Sequence, residues 1–343
     1  MFNCDYNEGA HPNIMKRLMD TNMEQHAGYS EDDYTKEACK LIKQACKSDN
    51  VDVHILVGGT QTNMTVISAA LRTHQGVISV DTGHINRHET GTIEAHGHKV
   101  LALPNPEGKL SAKQIADYCF NHYHDESFEH IVQPKMVYIS NPTEIGTIYS
   151  RAELTEIRKV CDGYGLILFL DGARLGYGMA AIGSDIDLPF LAQTCDVFYI
   201  GGTKQGALFG EAIVIRNEDL KKDFRYIIKQ NGGMFAKGRL LALQFIELFS
   251  NNLYMELSNH AIKMAMKIKN EISDYGFSFM IDSPTNQQFP ILPDELLEKL
   301  GEKYGFSYEK RIDENHSAVR FCTSWATKEE NVDSLLADIK EMM

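Results

Sequence analysis

The segment Tyr199–Gly206, YIGGTKQG, places one lysine, Lys204, among three glycines directly after the apolar run CDVFYI. Such a run is typical of a buried strand, and a solvated surface lysine needs no such setting. Glycines let the backbone and a ligand approach each other closely. The segment therefore predicts a buried strand whose end carries a lysine able to reach a bound ligand.

Six further apolar runs rich in β-branched residues alternate with helical patterns along the chain: VDVHILVGG, GVISVD, KVLALP, KMVYIS, LILFLDG and EAIVIRN. This alternation predicts an α/β fold with a mostly parallel seven-stranded sheet covered by helices. Helix starts are indicated at Ser111 and at Ser150, which is followed three residues later by Glu153 in a capping-box pattern. Gly163 and Gly165 mark the expected end of the second helix.

The alternation of short strand patterns and helical patterns ends near residue 240. Long helical patterns there lead to four short strand patterns, FSFMID, QQFPIL, FSYEKRI and AVRFCTS, and to a last helix capped by Thr327 with Glu330. We expect a large domain over residues 1–245 and a smaller C-terminal α/β domain over residues 246–343. No repeat or low-complexity linker separates them, so the two should pack closely.

The amino-acid composition indicates which classes of molecule the protein binds. The chain has 343 residues, 43% of them hydrophobic and 24% charged, which is typical of a soluble globular protein. Its 34 basic and 47 acidic residues give a net charge of -13, which disfavours nucleic acid and anionic membranes and favours small-molecule or protein partners. No apolar segment reaches the roughly 18 to 20 residues of a membrane span, and the start MFNCDYNEG lacks a signal-peptide pattern. We expect a cytoplasmic protein with seven reduced cysteines.

The first strand end is followed by GGTQTNMTVISAAL, in which Gly59, Thr60 and Gln61 open an apolar-periodic helix. Free backbone N–H groups and the helix dipole make such a start suitable for a phosphate group. The segment matches neither Gly-x-Gly-x-x-Gly nor a Walker loop. A tight strand-to-helix turn without a ligand is the alternative interpretation.

Asp171 ends the apolar run of LILFLDGARLGYG. A buried carboxylate must be paired to stay charged, and either a protonated heterocyclic nitrogen or Arg174 could be the partner. Lys204 can form an imine with a carbonyl compound once its pKa is lowered, although a lysine after glycines can also be simply solvated.

The fourth strand-end segment, VDTGHINRHETGTIEAHGH, contains His84, then Glu89 five residues later. His84 and His88 have the i, i+4 spacing of one helix face, and His96 and His98 follow. The sequence has no His-Glu-x-x-His and no Cys/His pairing, so we expect no metal site.

Taken together, these segments predict pyridoxal 5'-phosphate as the cofactor. Its phosphate needs helix amides, its ring nitrogen needs a carboxylate such as Asp171, and its aldehyde needs a lysine. We therefore expect a Schiff base to Lys204.

The same motifs, in order, carry a resemblance that covers nearly the whole chain: CDYNEGAHPNIM, GGTQTN, GHINRHETG, NPTEIGTIY, DGARLGYG, GGTKQG, NQQFPIL and VRFCTSWATKEENVD. The chain resembles the threonine aldolase and aromatic β-eliminating lyase group of fold-type-I pyridoxal-phosphate enzymes. The resemblance implies an aspartate aminotransferase-like fold. It also implies Lys204 as the Schiff-base lysine, Asp171 against the pyridine nitrogen, and His84 stacked on the ring.

The resemblance further implies Gly59, Thr60 and Gln61 around the phosphate, Arg320 as the clamp on the substrate carboxylate, and Arg174 beside the phenolic oxygen or that carboxylate. An arginine fork binds a carboxylate bidentately, which agrees with the role of Arg320; a buried salt bridge is the alternative.

Two departures from the group affect the substrate side of the site. Its aldolases commonly have Asn-Thr-His where this chain has Asn141-Pro142-Thr143-Glu144, so Thr143 stands in place of the histidine. Cys4 stands where a serine often precedes the aspartate, and we include it among the substrate-binding residues.

The expected activity is a lyase reaction of amino acid metabolism, cleavage of β-hydroxy-α-amino acids such as L-threonine and L-allo-threonine to glycine and an aldehyde, with His84 as base directly or through water. β-Elimination or racemisation on the same cofactor is the alternative, and a non-catalytic cofactor- or metabolite-binding protein is another. The group's enzymes are dimers or tetramers, so we expect a homodimer or homotetramer. In it Asp5, Tyr6, Tyr29 and Lys229 would reach a neighbouring site; for the KQNGGM segment, a simple loop is equally open.

Overall fold

The computed structural model describes all 343 residues, and a seven-stranded sheet lies at its centre. Its strands are β1 (Asp52–Leu56), β2 (Gln75–Val80), β3 (Lys99–Leu103), β4 (Gln133–Ser140), β5 (Ile167–Asp171), β6 (Val197–Gly201) and β7 (Glu211–Ile215). The order across the sheet is β1-β7-β6-β5-β4-β2-β3. The β2–β3, β2–β4, β4–β5 and β5–β6 pairs are parallel, whereas β7 runs antiparallel to both β1 and β6. All seven predicted strands and the mostly parallel sheet are confirmed.

Helices cover both faces of this sheet. They are α1 (Pro12–Asp20), α2 (Asp33–Ala45), α3 (Gly59–Ala70), α4 (His84–Arg87), α5 (Thr92–Ala95), α6 (Ala112–Tyr123), α7 (Arg151–Tyr164), α8 (Leu175–Ala180), α9 (Leu188–Thr194), α10 (Glu218–Lys221), α11 (Phe224–Gln230), α12 (Arg239–Phe249), α13 (Leu253–Asp274), α14 (Asp294–Gly301) and α15 (Glu329–Met342), with a 3-10 helix at Phe128–His130. None of them combines the length and the hydropathy that a membrane span would require.

Local capping explains where two of these helices begin. Ser111 and Ser150 each form a complete capping box, with Gln114 and Glu153 as the reciprocal partners. Gly165 ends α7 in the left-handed conformation at φ 63°, as predicted, whereas Gly163 lies inside the helix.

A second, smaller sheet lies in the C-terminal part of the chain. It comprises β8 (Gln287–Gln288), β9 (Ile291–Pro293), β10 (Ser307–Arg311) and β11 (His316–Cys322), with β11 pairing antiparallel to the other three. The FSFMID segment is not a strand: it contributes one isolated bridge, Phe279 to Pro290. The predicted Thr327 cap is also wrong, because the Thr327 hydroxyl accepts a hydrogen bond from Ser324 N at 2.8 Å and α15 begins at Glu329.

The long helical pattern after residue 240 is divided in two. Asn251 and Asn252 adopt positive φ angles of 55° and 60° between α12 and α13, which breaks the helix there. The predicted boundary between residues 245 and 246 falls within α12, and the two-domain division remains a prediction.

The core explains why the central strands are apolar throughout. One cluster of 40 buried residues lies on one face of the large sheet, and a second of 18 lies on the other. A third cluster of 14 fills the space behind the small sheet. Strands buried on both faces leave polar side chains only at their ends, so the chemistry collects at the carboxyl edge.

Candidate active site

Residues that follow neighbouring strands meet at the carboxyl edge of the large sheet. Asp171 is the last residue of β5, Lys204 follows β6, and His84 follows β2. Helix α3 begins just after β1, which runs parallel to β6 because both pair antiparallel with β7. The topology therefore brings the segments predicted from sequence to one place.

Asp171 is buried, with 4% of its surface exposed, yet both of its oxygens accept hydrogen bonds. Its Oδ2 accepts from the Tyr138 hydroxyl at 2.5 Å and from Asn63 Nδ2 at 3.2 Å, and its Oδ1 accepts from Ala173 N at 3.0 Å. Burial opposes ionisation, but the nearby His84 and the Tyr138 hydroxyl outweigh it and lower the pKa of Asp171. The carboxylate is thus charged, and it is not bonded to Arg174.

Two carboxyl groups hold His84. Its ring Nδ1 lies 2.7 Å from Glu89 Oε1, and its backbone N donates to Glu144 Oε1 at 2.9 Å. Because a carboxylate only accepts, Nδ1 carries the proton. Burial works against a charged ring, but the Glu89 hydrogen bond and the charge of Asp171 raise the pKa of His84.

Lys204 is partly buried, and its amine has no hydrogen-bond partner in the chain; the centroid of the Tyr6 ring lies 5.9 Å from Nζ. Burial, followed by the charge of Arg174, lowers the pKa of Lys204. The flanking glycines are needed for backbone packing: a Cβ on Gly201 would lie 2.3 Å from Ala173 O. The Tyr199–Gly206 segment thus packs closely against the loop that follows β5, and the amine of Lys204 is left free where the two loops meet.

Arg174 forms a bidentate ion pair with Asp5, Nε to Oδ2 at 2.7 Å and Nη2 to Oδ1 at 3.0 Å. Asn286 Nδ2 donates to the same carboxylate at 2.9 Å. Asp5 is fully buried, and burial raises its pKa, but Arg174 and Lys204 outweigh this and hold it below the usual value. Contrary to the expectation for Asp5, this residue lies in the site of its own chain.

Arg320 lies on β11 with its side chain 22% exposed. Its Nη1 donates to Gln287 Oε1 at 3.2 Å, and its Nη2 donates to Asn3 O at 3.1 Å and Ser307 Oγ at 3.3 Å. The nearest carboxylate, on Glu309, is 3.6 Å from Nε. The neutral partners orient the guanidinium, and Nε, which has no hydrogen-bond partner, is available to an anionic ligand.

The start of α3 has the features of an anion site. Gly58 precedes the helix and provides no side-chain cap, so the amides of Gly59, Thr60 and Gln61 lack partners, whereas Thr62 N donates to Gly58 O. Thr60 is exposed there. The Gln61 side chain, by contrast, is occupied: it accepts from Val57 N at 3.3 Å and donates to Asn231 O at 3.1 Å. Backbone groups, rather than the Gln61 amide, are available to an anion.

Cys4 and Thr143, the two residues that depart from the pattern of the threonine aldolase group, both have defined local contacts. Cys4 is partly buried, and its Sγ donates to Asn7 Oδ1 at 3.0 Å. Thr143 is buried in a turn, with its hydroxyl 2.7 Å from that of Thr147. Thr143 therefore presents no polar group to the site.

Several residues at the site were not predicted. Asn63 bridges Glu89 Oε1, at 2.7 Å, and Asp171. Glu144 also accepts from Ser140 Oγ at 2.7 Å, and burial raises its pKa. Glu211 is a buried carboxyl group whose pKa burial raises to about 8, beside Lys204. Two features of the sequence could have indicated them: Asn63 lies within an apolar helix, and Glu211 begins an apolar strand.

No three His, Cys, Asp or Glu side chains are grouped closely enough to hold a metal ion. The residues present do fit pyridoxal phosphate: uncapped amides at α3 suit its phosphate, the charged Asp171 suits a protonated ring nitrogen, and the free amine of Lys204 suits its aldehyde. The Asn63 Oδ1 and Glu89 Oε2 atoms, buried without partners, are further polar groups at this place.

Comparison with known proteins agrees with this site. The chain matches the model of the beta-eliminating lyase family over residues 7–294. It is 30% identical to the low specificity L-threonine aldolase of Pseudomonas aeruginosa over 346 aligned positions, covering 100% of this chain and 97% of the relative.

Solved structures give the same result. A threonine aldolase of Leishmania major superposes with a TM-score of 0.97 at 41% identity, covering 99% of this chain and 98% of that one. A Thermus thermophilus aspartate aminotransferase variant superposes with a TM-score of 0.71 at 13% identity, covering 98% of this chain and 89% of that one, and shares the fold. The chain therefore belongs to the beta-eliminating lyase family of pyridoxal-phosphate-dependent enzymes, and the relatives that it matches along their whole length are threonine aldolases.

Proposed function

We propose that this protein is a pyridoxal-phosphate-dependent aldolase that cleaves the Cα–Cβ bond of β-hydroxy-α-amino acids. L-Threonine and L-allo-threonine would yield glycine and acetaldehyde. The observation that carries the proposal is the free Lys204 amine at the same sheet edge as a buried, charged Asp171. The full-length similarity to proteins named threonine aldolase supports the choice of substrate.

Four groups of the chain would hold the cofactor. Lys204 Nζ would hold its aldehyde as a Schiff base, and Asp171 would pair with its ring nitrogen. The first turn of α3, with Gly59, Thr60 and Gln61, would hold its phosphate, and His84 would contact its ring. When bound, pyridoxal phosphate supplies the electron sink for a bond broken at Cα.

The other residues bind and orient the substrate. Arg320 binds the α-carboxylate, supported by its unpartnered Nε and by the neutral groups that orient the rest of its guanidinium. Arg174, whose charge is paired with that of Asp5, adds a second guanidinium group to the site. Cys4 would contact the substrate side chain, and His84, held at its ring by Glu89 and at its backbone by Glu144, would lie against the cofactor.

β-Elimination or racemisation is the second candidate, favoured by one specific observation. Thr143 replaces the histidine common in aldolases, and its hydroxyl is held by Thr147. A non-catalytic carrier is disfavoured, because carriage requires neither the electron sink that Asp171 maintains nor the imine of Lys204.

We also propose a cytoplasmic homodimer or homotetramer with a large domain over residues 1–245 and a small one over 246–343. Seven free cysteines support the location. Exposed apolar side chains, among them Met19, Met23 and Tyr226, support an interface between subunits. Tyr29 and Lys229, whose amine lies 4.9 Å from the Tyr29 ring centroid, would then reach a neighbouring site.

The test is a proton NMR time course of the cofactor-loaded protein with L-threonine and, separately, L-allo-threonine. Glycine with acetaldehyde supports aldol cleavage, and the faster isomer gives the preference at Cβ. The Lys204→Ala variant should release no glycine and bind no cofactor covalently. 2-Oxobutyrate from the unaltered protein would instead support β-elimination, and two intact substrates would refute the proposed activity.

A further inference from the structure

His88 is a histidine of the i, i+4 pair that no role so far explains. It directly follows the short helix α4, and its ring centroid lies 5.5 Å from that of His84. Its backbone N donates to His84 O at 2.8 Å, which fixes the position of the residue. Neither ring nitrogen has a hydrogen-bond partner in the chain, and the residue is exposed. The ring is thus held beside His84 with both nitrogens available to a ligand.

The His88 ring, 5.5 Å from that of His84, is also close enough to Arg320 and Arg174 to be affected by their charges. Burial lowers the pKa of His88, and the charges of His84, Arg320, Arg87 and Arg174 lower it further. Arg320 and Arg174 are the two arginines assigned to the substrate carboxylate. Cations on this side keep the imidazole neutral, so one of its nitrogens can accept a proton.

The neighbouring groups are less suited to accepting that proton. His84, which the sequence suggested as the base, donates its Nδ1 proton to Glu89, and this partner and the charge of Asp171 raise its pKa. Its ring therefore stays protonated, and unable to accept a proton, to a higher pH than the ring of His88. Glu144 is less accessible, because its Oε1 accepts from His84 N and Ser140 Oγ and its Oε2, although without a partner, is buried. Thr143, at the position of the missing histidine, faces Thr147.

We propose that His88 is a catalytic residue that accepts the proton of the substrate β-hydroxyl, in place of the histidine that Thr143 replaces. The inference rests on the proposed aldolase function. The substrate O–H bond breaks as an N–H bond forms on the imidazole, and the oxygen electrons form the C=O bond of the aldehyde. The Cα–Cβ electron pair stays with the glycine half, whose Cα then takes a proton. His88 returns its proton to solvent.

The test compares two reactions of the holoenzyme in the His88→Asn variant. Loss of a general base should lower kcat for L-threonine cleavage by about 10² to 10⁴. Exchange of a glycine Cα proton with D₂O, which involves no hydroxyl, should stay within about twofold of the unaltered rate. His96→Asn is the matched control, because His96 is exposed and its ring bonds to Thr92 O at 2.8 Å in its own helix. Cofactor absorbance checks that all three proteins are equally loaded.

Two further readouts separate a catalytic from a structural role. The C2 proton resonance missing in His88→Asn should titrate in the unaltered protein below the usual pKa of about 6.5. The kcat/KM for threonine should rise with pH through that value, because only the neutral ring accepts a proton, and this acid limb should be absent in the variant.

Each outcome decides the proposal. Equal threonine cleavage by the unaltered protein and His88→Asn overturns the role of His88 and leaves the aldolase function standing. Loss of both cleavage and glycine exchange in the variant also overturns it, since His88 would then act on the cofactor site as a whole. Failure of the unaltered protein to cleave either isomer overturns the aldolase function and the inference with it.

Discussion

Replacing Asp5 by Asn should destabilise the protein strongly, although the substitution changes neither size nor shape. Asp5 is fully buried, and both of its oxygens bind the Arg174 guanidinium. Asn removes the charge and leaves Arg174 uncompensated, with only 14% of its side chain exposed. Removal of one partner from a buried ion pair costs about 3 to 5 kcal/mol. We expect the free energy of unfolding to fall by that amount.

The measurement is urea unfolding at neutral pH, followed by circular dichroism and by the fluorescence of the single tryptophan, Trp325. Trp325 packs beside His11, at 5.8 Å between ring centroids, so it reports on the N-terminal segment that carries Asp5. The matched control is Asp282→Asn. Asp282 pairs with Lys269 while 92% exposed, and loss of a surface pair should cost less than about 1 kcal/mol.

The pH dependence gives a second check on the same pair. The pKa of Asp5 is lowered in the folded protein, so its contribution is present above the unfolded value near 3.8 and is lost as pH falls through the folded pKa. The double variant Asp5→Asn, Arg174→Gln should be more stable than Asp5→Asn alone, because it buries no unpaired charge. A loss in Asp5→Asn no larger than in Asp282→Asn would refute this reasoning.

Two further predictions concern the packing of the strand ends and the charge of His84. In Gly201→Ala, the new Cβ would lie 2.3 Å from the Ala173 carbonyl oxygen, so thermal unfolding should show a loss of about 1 to 3 kcal/mol in the free energy of unfolding. The control Gly163→Ala, on the open surface of a helix, should be neutral or stabilising. Equal stability of the two variants would contradict the packing argument. In Glu89→Gln, the pKa of His84 should fall, because the Glu89 carboxylate no longer offsets the effect of burial on the ring. Histidine NMR titration measures this pKa, with Glu94→Gln as the control. An unchanged pKa would count against the assigned hydrogen bond.

The large sheet could be predicted because each of its strands is a short apolar run between turn signals. A strand buried on both faces has the same residue pattern in either direction, so the reversal of β7 left no signal. FSFMID has the composition of a strand as well. Whether it pairs depends on the neighbour that tertiary packing provides, and Pro290 opposite Phe279 has no N–H to donate.

The site was predictable where it follows strand ends and not where distant segments meet. Asp171, His84 and Lys204 each follow an apolar run, so topology alone places them together. Asp5 and Asn286 lie 281 positions apart, and no local pattern joins them. Sequence reasoning accordingly left Asp171 and Arg174 as possible partners, whereas the N-terminal segment takes Arg174 and frees Asp171.

The buried carboxyl groups show why charge, unlike position, had to come from the structure. Asp5 and Asp171 have lowered pKa values because Arg174 and His84, respectively, outweigh the effect of burial. Glu144 and Glu211 are equally buried, but their cationic neighbours are too weak to offset desolvation, and their pKa values are raised. The number of charged acids is thus set by the number of cations within reach. His84 keeps Asp171 ionised, and Glu144 positions His84 by accepting a hydrogen bond from the backbone N of His84. A substitution at Glu144 should therefore affect the cofactor ring indirectly, through His84 and Asp171.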